Sequence, residues 1–225
     1  LCFAMHCVGT AVIAAKATSH QQKAYLEPIA RGEHVTTLAL SEPGTGSQFW
    51  FPEARLVRSG DTYLVHGTKS FVTNGDHADS YVISVVSPEG VTEGGMFSCI
   101  LVDAGAPNLR WQAPWQGFGM RSNSSRTARL DGVSVPAANL LGREGDQLWY
   151  VFEVIVPYFL TAMAATYMGV ARACVELARE YLGTRRHTHT GELLGANPLA
   201  AHLLGEIWTA AEKTRHLVFS AARQG

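Results

Sequence analysis

Residues 41–48 read Ser-Glu-Pro-Gly-Thr-Gly-Ser-Gln, and this segment is the most informative part of the chain. Its proline and glycines constrain a loop, and the two glycines let the backbone come close to a flat or phosphorylated ligand. The hydroxyls of Ser41, Thr45 and Ser47 can donate hydrogen bonds to heterocycle or phosphate oxygens. Such a loop before a strand is by itself more often structural than functional, so its meaning depends on its neighbours.

Three further segments follow this loop in order. Residues 67–75 (GTKSFVTNG) end a strand-like run with Asn-Gly and place Phe71 two positions before Thr73. That spacing can set a ring edge beside a hydroxyl, and the alternative is an ordinary hairpin turn. Residues 117–125 (GFGMRSNSS) precede a strand-like run, and residues 136–142 (PAANLLG) lead into the helical end of the chain.

The composition excludes several classes of protein. The 225 residues are 47% hydrophobic and 16% charged, and 18 Lys and Arg nearly balance 19 Asp and Glu, for a net charge of −1. A balanced chain has no overall electrostatic reason to bind nucleic acid or an anionic membrane. Charged residues fall below the usual quarter, so we expect part of the surface to be covered, most simply in a homo-oligomer.

Hydrophobic periodicity divides the chain into three zones. Residues 1–33 are Ala-rich and helix-like, with a new turn or helix at Pro28 and an end at Gly32. Residues 34–144 contain short apolar runs separated by turn signals, which predict strands in an antiparallel sandwich or barrel. Residues 145–225 return to a helical pattern. The predicted strands lie at residues 62–66, 81–87, 96–102 and 127–135, and the turns between them include residues 87–90 and 94–95.

Cysteines and apolar segments predict a reduced protein without a membrane span. Four cysteines are widely spread with no Cys-x-x-Cys pair: Cys2, Cys7, Cys99 and Cys174. We interpret them as reduced, buried thiols of a cytoplasmic protein. Residues 154–171 reach the length of a membrane span, but they contain Pro157 and continue into an amphipathic helix, which favours a buried core helix. The apolar first residues have neither an initiating Met nor a basic region, which argues against a signal peptide. The missing Met also indicates that the chain starts inside a longer protein.

The four segments together resemble the acyl-CoA dehydrogenase family of flavoproteins. That family has a TEPGAGSD-like loop, a GTKxWITNG-like segment, a GMRGS-like segment and a VPxxNLLG exit into C-terminal helices. Here Ser41 replaces the first Thr, Gln48 the last Asp, and Phe71 the Trp. Residues 21–33 (QQKAYLEPIARGE) also resemble a family segment, so the resemblance covers essentially the whole chain.

The resemblance implies an α+β multi-domain fold and FAD as cofactor. We expect the end of an N-terminal helical domain (1–33), a middle antiparallel β-barrel or sandwich domain (34–144), and the first part of a C-terminal four-helix bundle (145–225). The residues that carry over as cofactor-binding are Leu38, Leu40, Ser41, Gly46, Ser47, Phe71, Val72 and Thr73.

Individual roles follow from the same resemblance. Ser41 is expected to bond the flavin ring, Ser47 the phosphate or the acyl-CoA substrate, and Thr73 the ring edge. Phe71 keeps the stacking role of the usual Trp and loses its indole donor.

A further candidate lies after a predicted helix. In the family, a Tyr followed four residues later by an Arg closes this helix, and the Arg reaches the FAD of a neighbouring subunit. Arg185 has that spacing from Tyr181, and Arg186 is its rival. A guanidinium suits pyrophosphate recognition. His187 and His189 are two residues apart but have no third ligand in sight, so no metal site is predicted.

The catalytic base is not visible in the chain. Dehydrogenation in the family needs a carboxylate to remove the substrate's α-proton, while the β-hydrogen leaves as hydride to the flavin. Most members place this Glu beyond the segment that matches residue 225, and others place it with an Arg in the helix matching residues 148–169. Residues 154–160 hold neither, and Glu153 lies more than a turn too early.

Three functions therefore stay open. The preferred one is an FAD-dependent acyl-CoA dehydrogenase with an acyl-CoA or similar substrate, an electron-accepting flavoprotein as partner, and a dimeric or tetrameric state in the cytoplasm. The second is a flavin-dependent monooxygenase of the same fold with a non-CoA substrate. The third is a non-catalytic subunit that completes a mixed oligomer.

Overall fold

The computed structural model describes residues 1–87 and 96–224. The predicted turn at residues 94–95 lies outside the described residues, as does most of the one at residues 87–90. The chain divides into two compact units, Leu1–Phe159 and Leu160–Gly225. The predicted domain limits after residues 33 and 144 stay predictions.

The first unit begins with the predicted helical zone. It contains α1 (Cys2–Ala15), α2 (Ser19–Gln21), a π-helical turn (Gln22–Leu26) and α3 (Glu27–Ala30). Thr18 caps α2: its side chain accepts from the Gln21 N–H, and the Gln21 side chain accepts from the Thr18 N–H. Pro28 lies in the first turn of α3 and Gly32 follows the helix with φ 73°, as predicted.

Among the described residues of the first unit, eight strands form the sheet. They are β1 (Thr36–Ala39), β2 (Arg55–Ser59), β3 (Thr62–Val72), β4 (Ser80–Val86), β5 (Phe97–Asp103), β6 (Leu109–Trp111), β7 (Arg126–Pro136) and β8 (Leu140–Leu141). The four predicted runs correspond to β3, β4, β5 and β7, so their prediction is confirmed. The short strands β1, β2, β6 and β8 were not predicted, because their apolar alternation is too brief to stand out.

The strand order is β6-β7-β3-β2-β4-β5-β8, with β1 also paired to β4. The α+β class is confirmed, but the sheet is mixed rather than purely antiparallel, since β4 runs parallel to both β1 and β2. After β3 the turn at Asn74-Gly75 does not form a hairpin, because β3 pairs with β2 and β7. Parallel pairs need long connections, which a local sequence pattern does not reveal.

One apolar cluster holds the strands together. It includes Val65 on β3, Ile83 on β4, Ile100 on β5 and Leu130 on β7, all almost completely buried. Their burial removes large aliphatic surfaces from water, each worth about 1.5–3 kcal/mol. The cluster therefore supplies the rigid platform on which the loops at the strand ends are carried.

Helices complete the chain. The first unit ends with α4 (Gln147–Trp149), a π-helical segment (Tyr150–Ile155) and the start of α5 (Val156–Thr184), which continues into the second unit. The second unit closes with α6 (Pro198–Gln224). As predicted, α6 starts at Asn197-Pro198, where the Asn197 side-chain oxygen accepts from the Leu199 N–H at 2.9 Å.

The prediction of a buried core helix over residues 154–171 is wrong within the described residues. Only Val154 and Ile155 of that run are buried, and Cys174, also predicted to be buried, is exposed. The reason is that the long helices have too few described neighbours to cover all their faces. Cys99 is buried in β5, as predicted, and the other two thiols, Cys2 and Cys7, are partly buried.

The helical run Gln147–Thr184 also bears on the membrane prediction. It is long and apolar enough to cross a membrane by length and composition, with a mean hydropathy of 1.6 and 11% of its most apolar window buried. A core helix of a water-soluble protein can pass the same test. The prediction that the chain has no membrane span therefore stays a prediction.

Candidate functional site

The three loop segments singled out in the sequence come together at the end of β3. The Ser70 N–H donates to the Ser41 carbonyl at 2.7 Å, which joins the first segment to the second. The Ser124 hydroxyl donates to the Gly75 carbonyl at 2.9 Å, which joins the third segment to the second. Residues more than 80 positions apart in the chain thus form one continuous surface.

Phe71 occupies a strained position on this surface. Its φ of 54° lies in the left-handed region, which is costly for a bulky residue, and its side chain is 64% exposed. A register irregularity between Lys69 and Val72 turns the ring outward, where it meets Trp115 edge-on at 5.7 Å between centroids. Such strain is kept where the surroundings over-determine it, and it clusters at functional sites.

Val72 and Thr73, the two residues after Phe71, differ in what they can offer a ligand. The Val72 side chain belongs to the apolar cluster of the sheet and is 1% exposed, so only its backbone can face a ligand. Thr73 is 9% exposed, and its hydroxyl makes no hydrogen bond within the described residues. Phe71 is thus exposed and Thr73 is nearly buried, and a ring edge set beside the Thr73 hydroxyl stays a prediction.

Of the three hydroxyls in the loop at residues 41–48, one is hydrogen-bonded within the loop and two have no partner among the described residues. The Thr45 hydroxyl is used inside the loop, where it accepts from the Glu42 N–H at 3.3 Å and contacts the Glu42 carbonyl at 3.4 Å. The hydroxyls of Ser41 and Ser47 have no hydrogen-bond partner among the described residues. Gly46 has φ 52° with open space beside it, so the backbone there is accessible to a ligand.

Leu38 and Leu40 lie deeper than the rest of the predicted set. Leu38 is in β1 and Leu40 follows it directly, and both side chains are buried. The Leu40 carbonyl accepts from the Lys69 ammonium at 3.2 Å. These two residues can therefore contact a ligand mainly through their backbone atoms.

Sequence reasoning missed a buried ion pair under the loop. The Lys69 ammonium bonds the Glu42 carboxylate, and both side chains are almost completely buried. Burial lowers the pKa of Lys69 to about 8, although the Glu42 carboxylate opposes this shift. The available signal was Lys69 in the segment that continues the predicted strand at residues 62–66, in step with the apolar Tyr63 and Val65, since charged residues are rarely fully buried unless paired.

An aromatic group next to Ser47 was also missed. Phe49, Trp50 and Phe51 are consecutive, and Trp50 lies 6.2 Å from Phe152 while Phe51 lies 5.7 Å from Phe97, between ring centroids. Three adjacent aromatic residues directly after the Gly-rich loop were the visible signal. They hold the far side of the loop against β5 and the π-helical segment.

In the second unit, the two candidate arginines differ in availability. The Arg186 guanidinium donates to the Gly191 carbonyl at 2.8 Å, so it is used within its own loop. The exposed Arg185 guanidinium makes no hydrogen bond or ion pair among the described residues. The rings of His187 and His189 lie 5.6 Å apart, and the described residues contain no group of three potential metal ligands around them.

The helical region where some family members carry a base supplies no obvious one. Glu153 is exposed on the π-helical segment and is the only carboxylate between Val151 and Leu160. No residue of this chain is therefore assigned as the catalytic base.

The fold has helices, then a sheet, then helices along the chain, and a Gly-rich loop meets a strained aromatic residue at the end of β3. Two family models match the chain: the acyl-CoA dehydrogenase middle domain over residues 37–133 and the acyl-CoA dehydrogenase C-terminal domain over residues 157–225. The chain belongs to the acyl-CoA dehydrogenase family, as the sequence motifs predicted.

Individual relatives agree with this assignment. An acyl-CoA dehydrogenase of Bacillus subtilis is 30% identical over 96% of this chain and 56% of its own length. A short-chain-specific acyl-CoA dehydrogenase of Clostridium acetobutylicum is 28% identical over 91% of this chain and 53% of its own length. The crystal structure of an acyl-CoA dehydrogenase from Geobacillus kaustophilus superposes with a TM-score of 0.88 at 26% identity, over 95% of this chain and 56% of that one. The chain thus spans about half the length of the relatives it matches.

Proposed function

We propose that this chain is part of an FAD-dependent acyl-CoA dehydrogenase, which forms an α,β double bond in an acyl-CoA thioester. The observation that carries the proposal is the junction of the family's loop segments at the end of β3, marked by the bond from the Ser70 N–H to the Ser41 carbonyl at 2.7 Å. Membership of the family supports the same reaction class. The acyl-CoA substrate and the protein partner are carried over from the family.

The residues present fit FAD. Phe71 offers an exposed ring for stacking against a flat heterocycle, and the hydroxyls of Ser41 and Thr73 have no hydrogen-bond partner within residues 1–87 and 96–224. Gly46 leaves open space beside its backbone, as close approach of a phosphate requires. When bound, FAD supplies the acceptor for the hydride that leaves the substrate's β-carbon.

The chain's own side chains have binding and orienting roles in this proposal. Ser41 and Thr73 bond the edge of the ring, Phe71 covers its face, and Val72, Leu38 and Leu40 contribute backbone atoms. Ser47 bonds the phosphate or the acyl-CoA. Arg185 bonds the pyrophosphate of the FAD in a neighbouring subunit, which suits an exposed guanidinium that has no partner in the described part of the chain.

The remaining features of the proposal concern the whole protein. The α-proton is removed by a carboxylate that we do not assign to this chain. The reduced enzyme passes its electrons to an electron-accepting flavoprotein, and the protein is a cytoplasmic homo-dimer or homo-tetramer. The low charged fraction of 16% supports an extensive subunit contact.

Two measurements on the purified full-length protein test the proposal. The visible absorbance should show flavin bands, or they should appear when FAD is added to the apoprotein. Addition of an acyl-CoA without oxygen should then bleach the flavin. No flavin uptake would contradict the cofactor assignment, and uptake without bleaching would favour the monooxygenase or the non-catalytic subunit.

A matched pair of variants locates the cofactor. Ser41→Ala removes a hydroxyl that we place on the flavin, and should weaken FAD binding by about tenfold, the effect of about one lost hydrogen bond. Ser59→Ala removes an exposed hydroxyl on β2 and should leave binding unchanged. Equal affinities for the two variants would remove Ser41 from the site.

A further inference from the structure

One carboxylate closes both ends of the Gly-rich loop. Glu42 stands at the start of the loop, and its two oxygens accept from the N–H groups of Glu53 at 2.6 Å and of Ala54 at 3.1 Å. Residues 42 and 54 are thereby held together. The segment between them, which we call the 42–54 loop, is therefore closed at its base by this one side chain.

Lys69 ties the same carboxylate to the sheet. It lies on β3, and its ammonium bonds Glu42, the Leu40 carbonyl at 3.2 Å and the Ser84 hydroxyl on β4 at 3.0 Å. The next residue along β3, Ser70, donates its N–H to the Ser41 carbonyl. The entry to the loop is therefore attached to β3 through two successive residues, and to β4 through Lys69.

Burying the Glu42–Lys69 ion pair costs free energy. Removing a carboxylate and an ammonium from water carries a desolvation penalty that their attraction repays only when the remaining donors and acceptors are satisfied. Here Glu42 accepts three hydrogen bonds and Lys69 donates three. Apolar residues of similar volume often give equal stability, so the arrangement is better explained by the geometry it imposes than by stability.

We propose that the Glu42–Lys69 pair is a positioning device that sets the shape of the 42–54 loop for cofactor binding. Neither side chain touches the ligand, because both are buried beneath the loop. They act through Ser41, Gly46 and Ser47, which the loop presents. The inference rests on the proposed FAD site, but the loop closure itself can be tested without FAD.

Hydrogen exchange of the full-length apoprotein tests the closure. The amides of Glu53 and Ala54 should be protected, and Glu42→Gln and Lys69→Met should each raise their exchange rates by at least about tenfold, since either change leaves a buried group unpaired. Lys16→Met is the matched control, because it breaks the Lys16–Asp146 ion pair (2.9 Å) away from the loop. Unchanged protection of these two amides in both variants would overturn the proposal.

Cofactor affinity tests the consequence. Glu42→Gln and Lys69→Met should each weaken FAD binding by at least about tenfold, a change expected when preorganisation of a site is lost. The double variant removes both charges and should recover part of the thermal stability but not the affinity. If the double variant bound FAD as tightly as the wild type, the pair would contribute to stability alone and not to cofactor binding. Failure of the wild type to bind FAD would refute the proposed function and leave the exchange result to stand alone.

The pH dependence of FAD affinity distinguishes a role of the ion pair from a general loss of stability. Burial lowers the pKa of Lys69 to about 8. The groups that face it are Glu42, the Ser84 hydroxyl and the Cys99 thiol, whose own pKa is raised by burial to about 12 so that it stays neutral. FAD affinity should therefore fall several-fold between pH 7 and pH 9.5 in the wild type. The same affinity in Lys69→Met should be flat over this range, and parallel profiles would contradict the role of the pair.

Discussion

Phe71 shows how a single residue can mark a site. A bulky side chain with φ 54° costs about 1–2 kcal/mol relative to ordinary backbone, and the exposed ring recovers little of this by burial. The contact with Trp115 returns part of the cost, since edge-on aromatic pairs are worth about 0.5–1.5 kcal/mol. The remaining strain is consistent with a conformation kept for ligand binding.

Glycine at position 71 should reveal this strain. In a Trp115→Ala background, where the ring pair is absent, Phe71→Gly should raise the free energy of unfolding by about 1 kcal/mol, because glycine adopts positive φ without penalty. Chemical denaturation provides the measurement. Phe118→Gly in the same background is the control: Phe118 is fully exposed and its φ is not positive, so the greater entropy of the unfolded chain should lower stability by about 0.5 kcal/mol. A fall of similar size for both variants would mean that Phe71 is unstrained.

At the scale of elements, a buried polar network docks the N-terminal helices on the sheet. The Tyr25 hydroxyl donates to the Asp103 carboxylate at 2.9 Å and accepts from the Asn139 amide at 2.8 Å. Gln21 donates to the Ala138 carbonyl at 2.9 Å. Burial, with Asp103 nearby, raises the pKa of Tyr25 above its ordinary value, so this hydroxyl stays protonated and can donate.

Tyr25→Phe should therefore destabilise the first unit. Loss of the hydroxyl leaves the buried Asn139 amide with one partner fewer, at a cost of about 1–3 kcal/mol, while water can replace the hydroxyl at the exposed Asp103 carboxylate. Tyr167→Phe removes a hydroxyl from an exposed position on α5 and should change stability by less than about 0.5 kcal/mol. Urea denaturation followed by far-UV circular dichroism would compare the two. Equal effects would show that the network contributes nothing to docking.

At the scale of the whole molecule, the second unit leaves much apolar surface uncovered. Exposed residues of α6 include Leu203, Trp208, Leu217 and Phe219. Within this unit, a groove of about 510 Å³ lies between α5 and α6, lined by Val175, Leu182, Leu204 and Trp208 among others. Contiguous apolar surface of this kind usually marks a contact with another part of the protein or another subunit.

We therefore expect the full-length protein to be a homo-oligomer. Light scattering after size exclusion should give a mass of at least two chains, and Leu217→Glu with Phe219→Glu should lower that mass, since charge is disfavoured in an apolar contact. Gln224→Glu adds a negative charge at an exposed polar position of the same helix and should leave the mass unchanged. A monomeric wild type would contradict the expectation.

Much of the site could be predicted from local sequence, and the reason is that its parts are short segments with distinctive residues. Ser41, Gly46, Ser47, Phe71 and Thr73 were each found from loop and turn chemistry together with the family resemblance, and the structure brings the segments that carry them together. Their contacts with FAD stay predictions.

Local sequence was enough to predict the helix-strand-helix order, the strands with clear alternation, the start of α6 at Asn197-Pro198 and the family. These features depend on neighbouring residues, and local propensity decides them. The folded structure was needed to show that β4 pairs in parallel with β1 and β2, that Phe71 has a strained backbone and an exposed ring, and that Glu42 and Lys69 form one buried ion pair. Each of these joins residues far apart in the chain, and such contacts depend on how the whole sheet packs.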